Sequence, residues 1–163
     1  MNVTLKGQEV ELKGTQPKIG EKAPDFNMLD LSDEVVTLSG LKGKPVIISV
    51  VPDIDTGICA LQTTRFNHEA ADVTDINFVT VSNNTKEELA NWCSAKGVDM
   101  TMLRDEDGKF GEAYGLLIPE INRLARTIIV VDQDGVINYM EIVPEVSSEP
   151  NYGVALKAAK ELI

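Results

Sequence analysis

The sequence predicts an α/β chain with a mixed central sheet and helices on both of its faces. Three observations carry that prediction. Val46-Ile47-Ile48-Ser49-Val50-Val51 and Ile76-Asn77-Phe78-Val79-Thr80-Val81 are nearly unbroken apolar runs of strand length, the pattern of strands covered on both sides. An apolar periodic stretch running to about Ala71 separates them. A strand–helix–strand unit requires a right-handed crossover, so the two strands are expected to run parallel. Finally, Thr127-Ile128-Ile129-Val130-Val131 turns at Asp132-Gln133-Asp134-Gly135 into Val136-Ile137-Asn138-Tyr139-Met140, which adds an antiparallel hairpin.

In chain order, Val3-Thr4-Leu5 and Val10-Glu11-Leu12 alternate apolar and polar residues around Gly7. They predict a small hairpin with one buried face, within residues 1–16 and outside the main sheet. Pro17 and Pro24 punctuate a connection, and residues 26–29 read as a short edge strand. Pro52 stops the first core strand, and Asp55 and Thr56 offer side chains that cap the following helix. Thr85 caps a second helix, in which Leu89, Trp92 and Cys93 share one stripe while Lys86, Glu87 and Glu88 face water. Gly97 ends it. Residues 105–108 form a turn, residues 110–114 a short helix closed by Gly115, and residues 152–162 a closing helix. This order, β-α-β-α and then β-β-α, is the thioredoxin-like arrangement with a hairpin extension in front.

At 163 residues the chain fits one domain, 1–163, with a single sizeable core. Its 43% hydrophobic and 25% charged residues are those of an ordinary globular protein, which argues against a disordered segment. A net charge of −11 repels phosphate backbones and anionic headgroups, so neither nucleic acid nor membrane is an expected partner. The longest apolar run, 45–52, is far shorter than the roughly 20 residues a membrane span needs. Met1-Asn2-Val3-Thr4-Leu5-Lys6 has no charged region followed by an apolar stretch, so a cytoplasmic protein is expected. There, two cysteines are either small buried hydrophobes or redox actors.

One His and two Cys cannot build a structural zinc site, and His68 reads as a surface side chain. The acidic turns at 105–108 and 132–135 lack the alternating ligands of a calcium loop. Gly40-Leu41-Lys42-Gly43-Lys44-Pro45 places Pro where a phosphate loop needs a hydroxyl, and no G-x-G-x-x-G follows a strand. No structural zinc, calcium loop or nucleotide cofactor is therefore expected. The two cysteines are also too far apart for the C-x-x-C of a disulfide oxidoreductase.

The candidate site is Pro52-Asp53-Ile54-Asp55-Thr56-Gly57-Ile58-Cys59, where a buried strand meets a helix. A cysteine in a first helical turn sees unpaired backbone N–H groups and the positive end of the macrodipole. Both favour the thiolate, which is the nucleophile. Thr56 lies one turn earlier, within reach of the sulfur or of an oxygen bound beside it, and Pro52 shapes the loop. Arg126 opens the third core strand; a parallel sheet is expected to bring that strand end to Cys59, where a guanidinium orients a bound oxygen. Plainer readings stand beside these. A single Cys after a strand is more often core filler, Cys93 shares its stripe with Leu89 and Trp92 and reads first as packing, Arg126 reads by default as a solvated strand end, and Trp92 and Tyr114 read as fillers.

The pattern Pro52-x-x-x-Thr56-x-x-Cys59 resembles the signature of the peroxiredoxins. Ile54-Asp55-Thr56-Gly57-Ile58-Cys59 with Gln62-Thr63 and Phe66-Asn67, then Trp92-Cys93, Leu124-Ala125-Arg126 and Ser148-Glu149-Pro150-Asn151-Tyr152, is similar to their bacterial thiol peroxidase subfamily over essentially the whole chain. The resemblance implies that Cys59 is the peroxidatic cysteine and Cys93 the resolving one, which overrides the packing reading of Cys93. It implies that Thr56, Arg126 and Pro52 form the peroxide pocket. It also implies hydrogen peroxide and organic hydroperoxides as substrates, a Cys59–Cys93 intramolecular disulfide, recycling by a thioredoxin-type dithiol, a homodimer, and no metal or organic cofactor.

Two departures stand out. Asp53 replaces a common Ser, and a carboxylate there opposes ionisation of the thiol unless it turns to solvent. Asn91 and Ser94 replace the common Arg and Gly neighbours of Trp92-Cys93. Because a disulfide needs Cα atoms about 4.4–6.8 Å apart, two cysteines on different helices are expected to require local unwinding. A redox sensor using the same disulfide, and an inert scaffold with filler cysteines, are the rival readings.

Overall fold

The computed structural model describes residues 1–98 and 100–163. Its N-terminal hairpin pairs β1 (Asn2–Leu5) with β2 (Gln8–Glu11), turning through Lys6 and Gly7. Strands β3 (Asn27–Leu29) and β4 (Val35–Thr37) follow, then β5 (Val46–Val50), α1 (Gly57–Asp72), β6 (Asn77–Ser82), α2 (Lys86–Lys96) and β7 (Thr101–Arg104). The rest comprises α3 (Lys109–Tyr114), β8 (Leu117–Ile118), β9 (Arg123–Leu124), β10 (Thr127–Val131), β11 (Ile137–Ile142) and α4 (Tyr152–Lys160).

Seven strands form one mixed sheet in the order β11-β10-β5-β6-β7-β3-β4. As the crossover argument requires, β5 and β6 are parallel, and β7 joins β6 in the same sense. All five residues of β5 are buried, and their alternation divides the core. Ile47 faces α1, α2 and α4. Val46, Ile48 and Val50 face the opposite side, where α3 brings Phe110 and Tyr114. A third cluster seats Val3, Val10 and Leu12 of the hairpin segment on Ile118, Ala125 and Val146. This is the expected thioredoxin-like architecture with its N-terminal hairpin.

Several elements differ from expectation. β3 is not the edge of the sheet, because β4 pairs outside it. β7 was not expected, since Thr101-Met102-Leu103-Arg104 ends on a charge. Tertiary partners make that charge tolerable: the nearly buried Arg104 guanidinium pairs with Asp33 at 2.6 Å and with Glu106. Lys86, the first residue of α2, pairs with the same Asp33 at 2.6 Å. α2 is therefore anchored at its N-terminus, where Thr85 and Glu88 also complete a reciprocal capping box. At the other end Gly97 adopts φ 66°, and its N–H returns to the Cys93 carbonyl.

α3 has no side-chain cap from its N-cap residue, Gly108. The buried Asp105 carboxylate serves instead, accepting from the N–H groups of Phe110 (3.0 Å) and Gly111 (2.9 Å). The acidic segment at 105–108 is thus a helix-start device. Its counterpart at 132–135 is a turn closed by Asp132 Oδ1, which accepts from Asp134 and Val136 N–H. Trp92 and Tyr114 are core residues, and the Tyr114 hydroxyl donates to the Pro24 carbonyl at 2.5 Å. Among the described residues, no helix is long and apolar enough to cross a membrane.

Gly97 and Gly115 share the left-handed conformation but not the same surroundings. Among the described residues a Cβ on Gly97 meets nothing within 4 Å, whereas on Gly115 it falls 2.7 Å from the Thr15 carbonyl carbon and 2.9 Å from the Gln16 nitrogen. Gly97→Ala should therefore destabilise by about 1–2 kcal/mol, the conformational term alone. Gly115→Ala should add about 1–3 kcal/mol of overpacking. Urea midpoints of the two variants check the ranking, and equal midpoints would contradict it.

Candidate active site

The chain leaves β5 at Val50, passes through buried Val51 and Pro52, and enters α1 with Thr56 as N-cap. Thr56 does not cap with its side chain; its hydroxyl donates back to the Asp53 carbonyl at 2.9 Å. The first-turn N–H groups of α1 thus lack the side-chain cap that the sequence led us to expect. Cys59 is the third helical residue and fully buried, in the first turn at the positive end of the helix.

Arg126 reaches Cys59 by a route that corrects the expected topology. β10 runs antiparallel to β5, with Thr127 opposite Val50. The residue just before β10 therefore lies at the C-terminal end of β5, where the Cys59 loop emerges. In a parallel pair the same residue would lie at the opposite end of the sheet. The guanidinium is only 2% exposed, and each of its three nitrogens has an acceptor. Nη2 donates to Cys59 Sγ at 3.2 Å, Nη1 to Gln62 Oε1 at 2.9 Å and Nε to the Val146 carbonyl at 2.8 Å.

Gln62 lies one turn beyond Cys59 on the same buried face of α1. Its amide nitrogen donates to Ser49 Oγ (2.8 Å) and the Val50 carbonyl (3.2 Å), which leaves the amide oxygen for Arg126. That is a fixed relay from the sheet to the guanidinium. Among the described residues, no buried side-chain nitrogen or oxygen lacks a partner.

Pro52, Thr56, Cys59 and Arg126 open on one cavity of about 1060 Å³, whose walls include Leu5, Ile58, Leu61, Ile121 and Val146. Cys93 is not among the lining residues. It is buried in the core cluster that also holds Cys59, and burial pushes its thiol pKa up. Both cysteines are free thiols. The structure therefore gathers four of the five candidate residues and leaves the fifth in the core. His68 is exposed on α1.

Asp53 is not free in solvent. Its carboxylate stands 3.6 Å from Arg123 Nη2 and accepts from Asn84 Nδ2 at 3.1 Å. Gln62 was visible in the sequence only as part of a matching string. Asn84, Arg123 and Glu145 carried no signal, because their roles exist only once loops distant in sequence meet.

Residues 19–140 match the model of the AhpC/TSA family. The chain is 45% identical to a thiol peroxidase of Bacillus subtilis, covering 99% of this chain and 98% of that protein. It is 43% identical to a thiol peroxidase of Listeria innocua, with 98% of each covered. The crystal structure of a peroxiredoxin-like protein from Aquifex aeolicus superimposes with a TM-score of 0.93 at 30% identity, covering 99% and 97% of the two chains. The chain belongs to the AhpC/TSA family, the peroxiredoxin class of peroxidases. Within that class its similarity is to the bacterial thiol peroxidases.

One wall of the cavity depends on a carboxylate far from the cysteine. Glu145 accepts from Gly7 N–H (2.8 Å), Thr4 Oγ1 (3.0 Å) and Ser147 N–H (2.8 Å), fastening the hairpin turn beside Leu5 and Val146. Hydrogen bonds, first from Ser147 and then from Gly7, hold its pKa down from 4.5 to about 2. A lowered carboxylate pKa contributes stability that is present above 4.5 and is lost as pH falls toward 2. Amide exchange of β1 and β2 should therefore accelerate relative to β5 across that window. Glu145→Gln should remove the pH dependence, and an unchanged profile in that variant would contradict the assignment.

Proposed function

We propose that the chain reduces hydrogen peroxide and organic hydroperoxides through Cys59, with Cys93 resolving the oxidised cysteine and a thioredoxin-type dithiol restoring both. The observation that carries this reading is the 3.2 Å hydrogen bond from the buried Arg126 to Cys59 Sγ, inside a cavity large enough for a hydroperoxide.

In the first step the Cys59 thiolate attacks the terminal peroxide oxygen. An S–O bond forms, the O–O bond breaks, and the departing alkoxide or hydroxide takes a proton from solvent. The charge building on that oxygen meets a cluster of fixed donors: the second N–H of each Arg126 Nη and the uncapped first-turn amides. The Gln62–Ser49 relay keeps the guanidinium in place, so little reorganisation is left for the reaction itself. Pro52 and the apolar wall exclude water, and Thr56 is placed at the same mouth.

In the second step the Cys93 thiolate attacks the sulfenic sulfur. The S–S bond forms, the S–O bond breaks, and hydroxide leaves as water. Cys93 is in the core of the reduced protein, so this step needs α1, α2 or both to loosen locally. The disulfide is then reduced by thiol–disulfide exchange with the external dithiol. We assign this work to one domain, 1–163, in the cytoplasm, with no metal or organic cofactor. An inert scaffold does not account for a buried guanidinium directed at Cys59, and a redox sensor would share the disulfide but turn over poorly.

Intact mass with a free-thiol count, before and after one equivalent of hydrogen peroxide, tests the cysteine roles. Wild type should lose two thiols and two hydrogens in mass, Cys59→Ser should lose neither, and thioredoxin should restore the wild type. Survival of both wild-type thiols would sink the reading.

The assembly is expected to be a homodimer, as the resemblance implies. Leu61 (54% exposed) and Ile121 (39%) leave an apolar rim at the cavity mouth that a second copy would cover. Light scattering should return twice the chain mass of 17.8 kDa, and a monomer mass would remove this part of the proposal.

A further inference from the structure

We propose that Arg123 is a positioning residue: its ion pair with Asp53 latches the 52–56 loop shut and so sets how fast the Cys59–Cys93 disulfide closes. The inference rests on the reading above, in which Cys59 is oxidised by peroxide and then attacked by Cys93.

Closure requires the two Cα atoms within about 4.4–6.8 Å, while both cysteines are held in helices and buried. The loop leading into α1 must let go before the sulfurs can meet. Among the described residues, three side-chain links tie it to Asn84 and Arg123. Asn84 Oδ1 accepts from Ile54 N–H at 2.9 Å, and Asn84 Nδ2 donates to Asp53 Oδ1 at 3.1 Å. Asp53 Oδ2 faces Arg123 Nη2 at 3.6 Å. Asn84 directly precedes Thr85, the N-cap of the Cys93 helix. Arg123 in β9 also donates Nη1 to Asn83 Oδ1 at 3.0 Å, and Asn83 Nδ2 returns to the Asn122 carbonyl at 2.7 Å. One network thus joins the Cys59 loop, the start of the Cys93 helix and the β8–β9 hairpin.

The links differ in how readily they yield. Asn84 is 1% exposed, so its hydrogen bonds break only with the core around them. Arg123 and Asp53 are 31% and 29% exposed, so water and salt can replace their contact. The pair sits in the wall of the Cys59 cavity, and releasing it removes the most yielding of the three restraints on the loop, one in which Arg126 takes no part. A partly exposed pair of this kind biases an equilibrium by a factor of about 1.5–5. If closure waits on loop opening, removing the pair should speed closure by that factor.

The test oxidises the full chain with one equivalent of hydrogen peroxide and follows closure by free-thiol loss and by fluorescence of Trp92, the sole tryptophan, beside Cys93. The expected closure is about 1.5–5-fold faster in Arg123→Gln and in Asp53→Asn, with the double variant no faster than either. Arg123→Lys should stay near wild type. Wild type in 1 M salt should approach Arg123→Gln, a readout that needs no variant to fold. Closure of Arg123→Gln at or below the wild-type rate, with wild type closing normally, overturns the latch alone. A wild type that keeps both thiols overturns the peroxidase reading and the latch with it.

Discussion

A guanidinium withdrawn from water is tolerable only where acceptors wait for it, and Arg126 imposes that condition on one whole end of the sheet. Its acceptors come from α1 (Cys59 and Gln62) and from the segment after β11 (Val146). Gln62 can serve only because Ser49 and Val50 at the end of β5 occupy its amide nitrogen. The register of β10 on β5, the pitch of α1 and the path of residues 143–147 are therefore mutually constrained. Removing one partner of such a set leaves a buried charge short of an acceptor, the kind of loss that commonly amounts to several kcal/mol. Reactivity and stability share these atoms.

The same arrangement explains why the two cysteines differ although both are buried. Cys59, in the same buried cluster as Cys93, has the fixed Arg126 cation 3.2 Å from its sulfur. Cys93 is buried among apolar side chains, with burial alone acting on its pKa. Burial of that kind opposes ionisation of the thiol.

Much of this was legible in the sequence. β5, β6 and β10 announce themselves as β-branched runs, α2 by Thr85, its stripe and Gly97, and Cys59 by its place after Pro52 and Thr56. The parts that stayed hidden have a common physical reason. β7 ends in Arg104, whose charge is acceptable only because Asp33 and Glu106 arrive from elsewhere. β8 and β9 have two residues each, too short for any period to show. Arg126 was placed near Cys59 on a mistaken parallel alignment, because strand direction is decided by how the last hairpin docks. Gln62, Asn84 and Arg123 act through partners brought in by the fold, and one-dimensional spacing carries no trace of them.

The two ends of α2 are not equally fastened. Its first turn is riveted by the capping box and by the Lys86–Asp33–Arg104 chain of charges, all tied into the sheet edge. Its last turn is closed by the N–H groups of Gly97 and Val98, and both of these converge on one atom, the Cys93 carbonyl oxygen. Unravelling of this helix consequently has a direction. It begins at the glycine, and the first hydrogen bonds it breaks are those that end on Cys93, so a single turn of fraying frees the backbone there. The helix behaves as a zipper with its slider parked beside the Cys93 thiol.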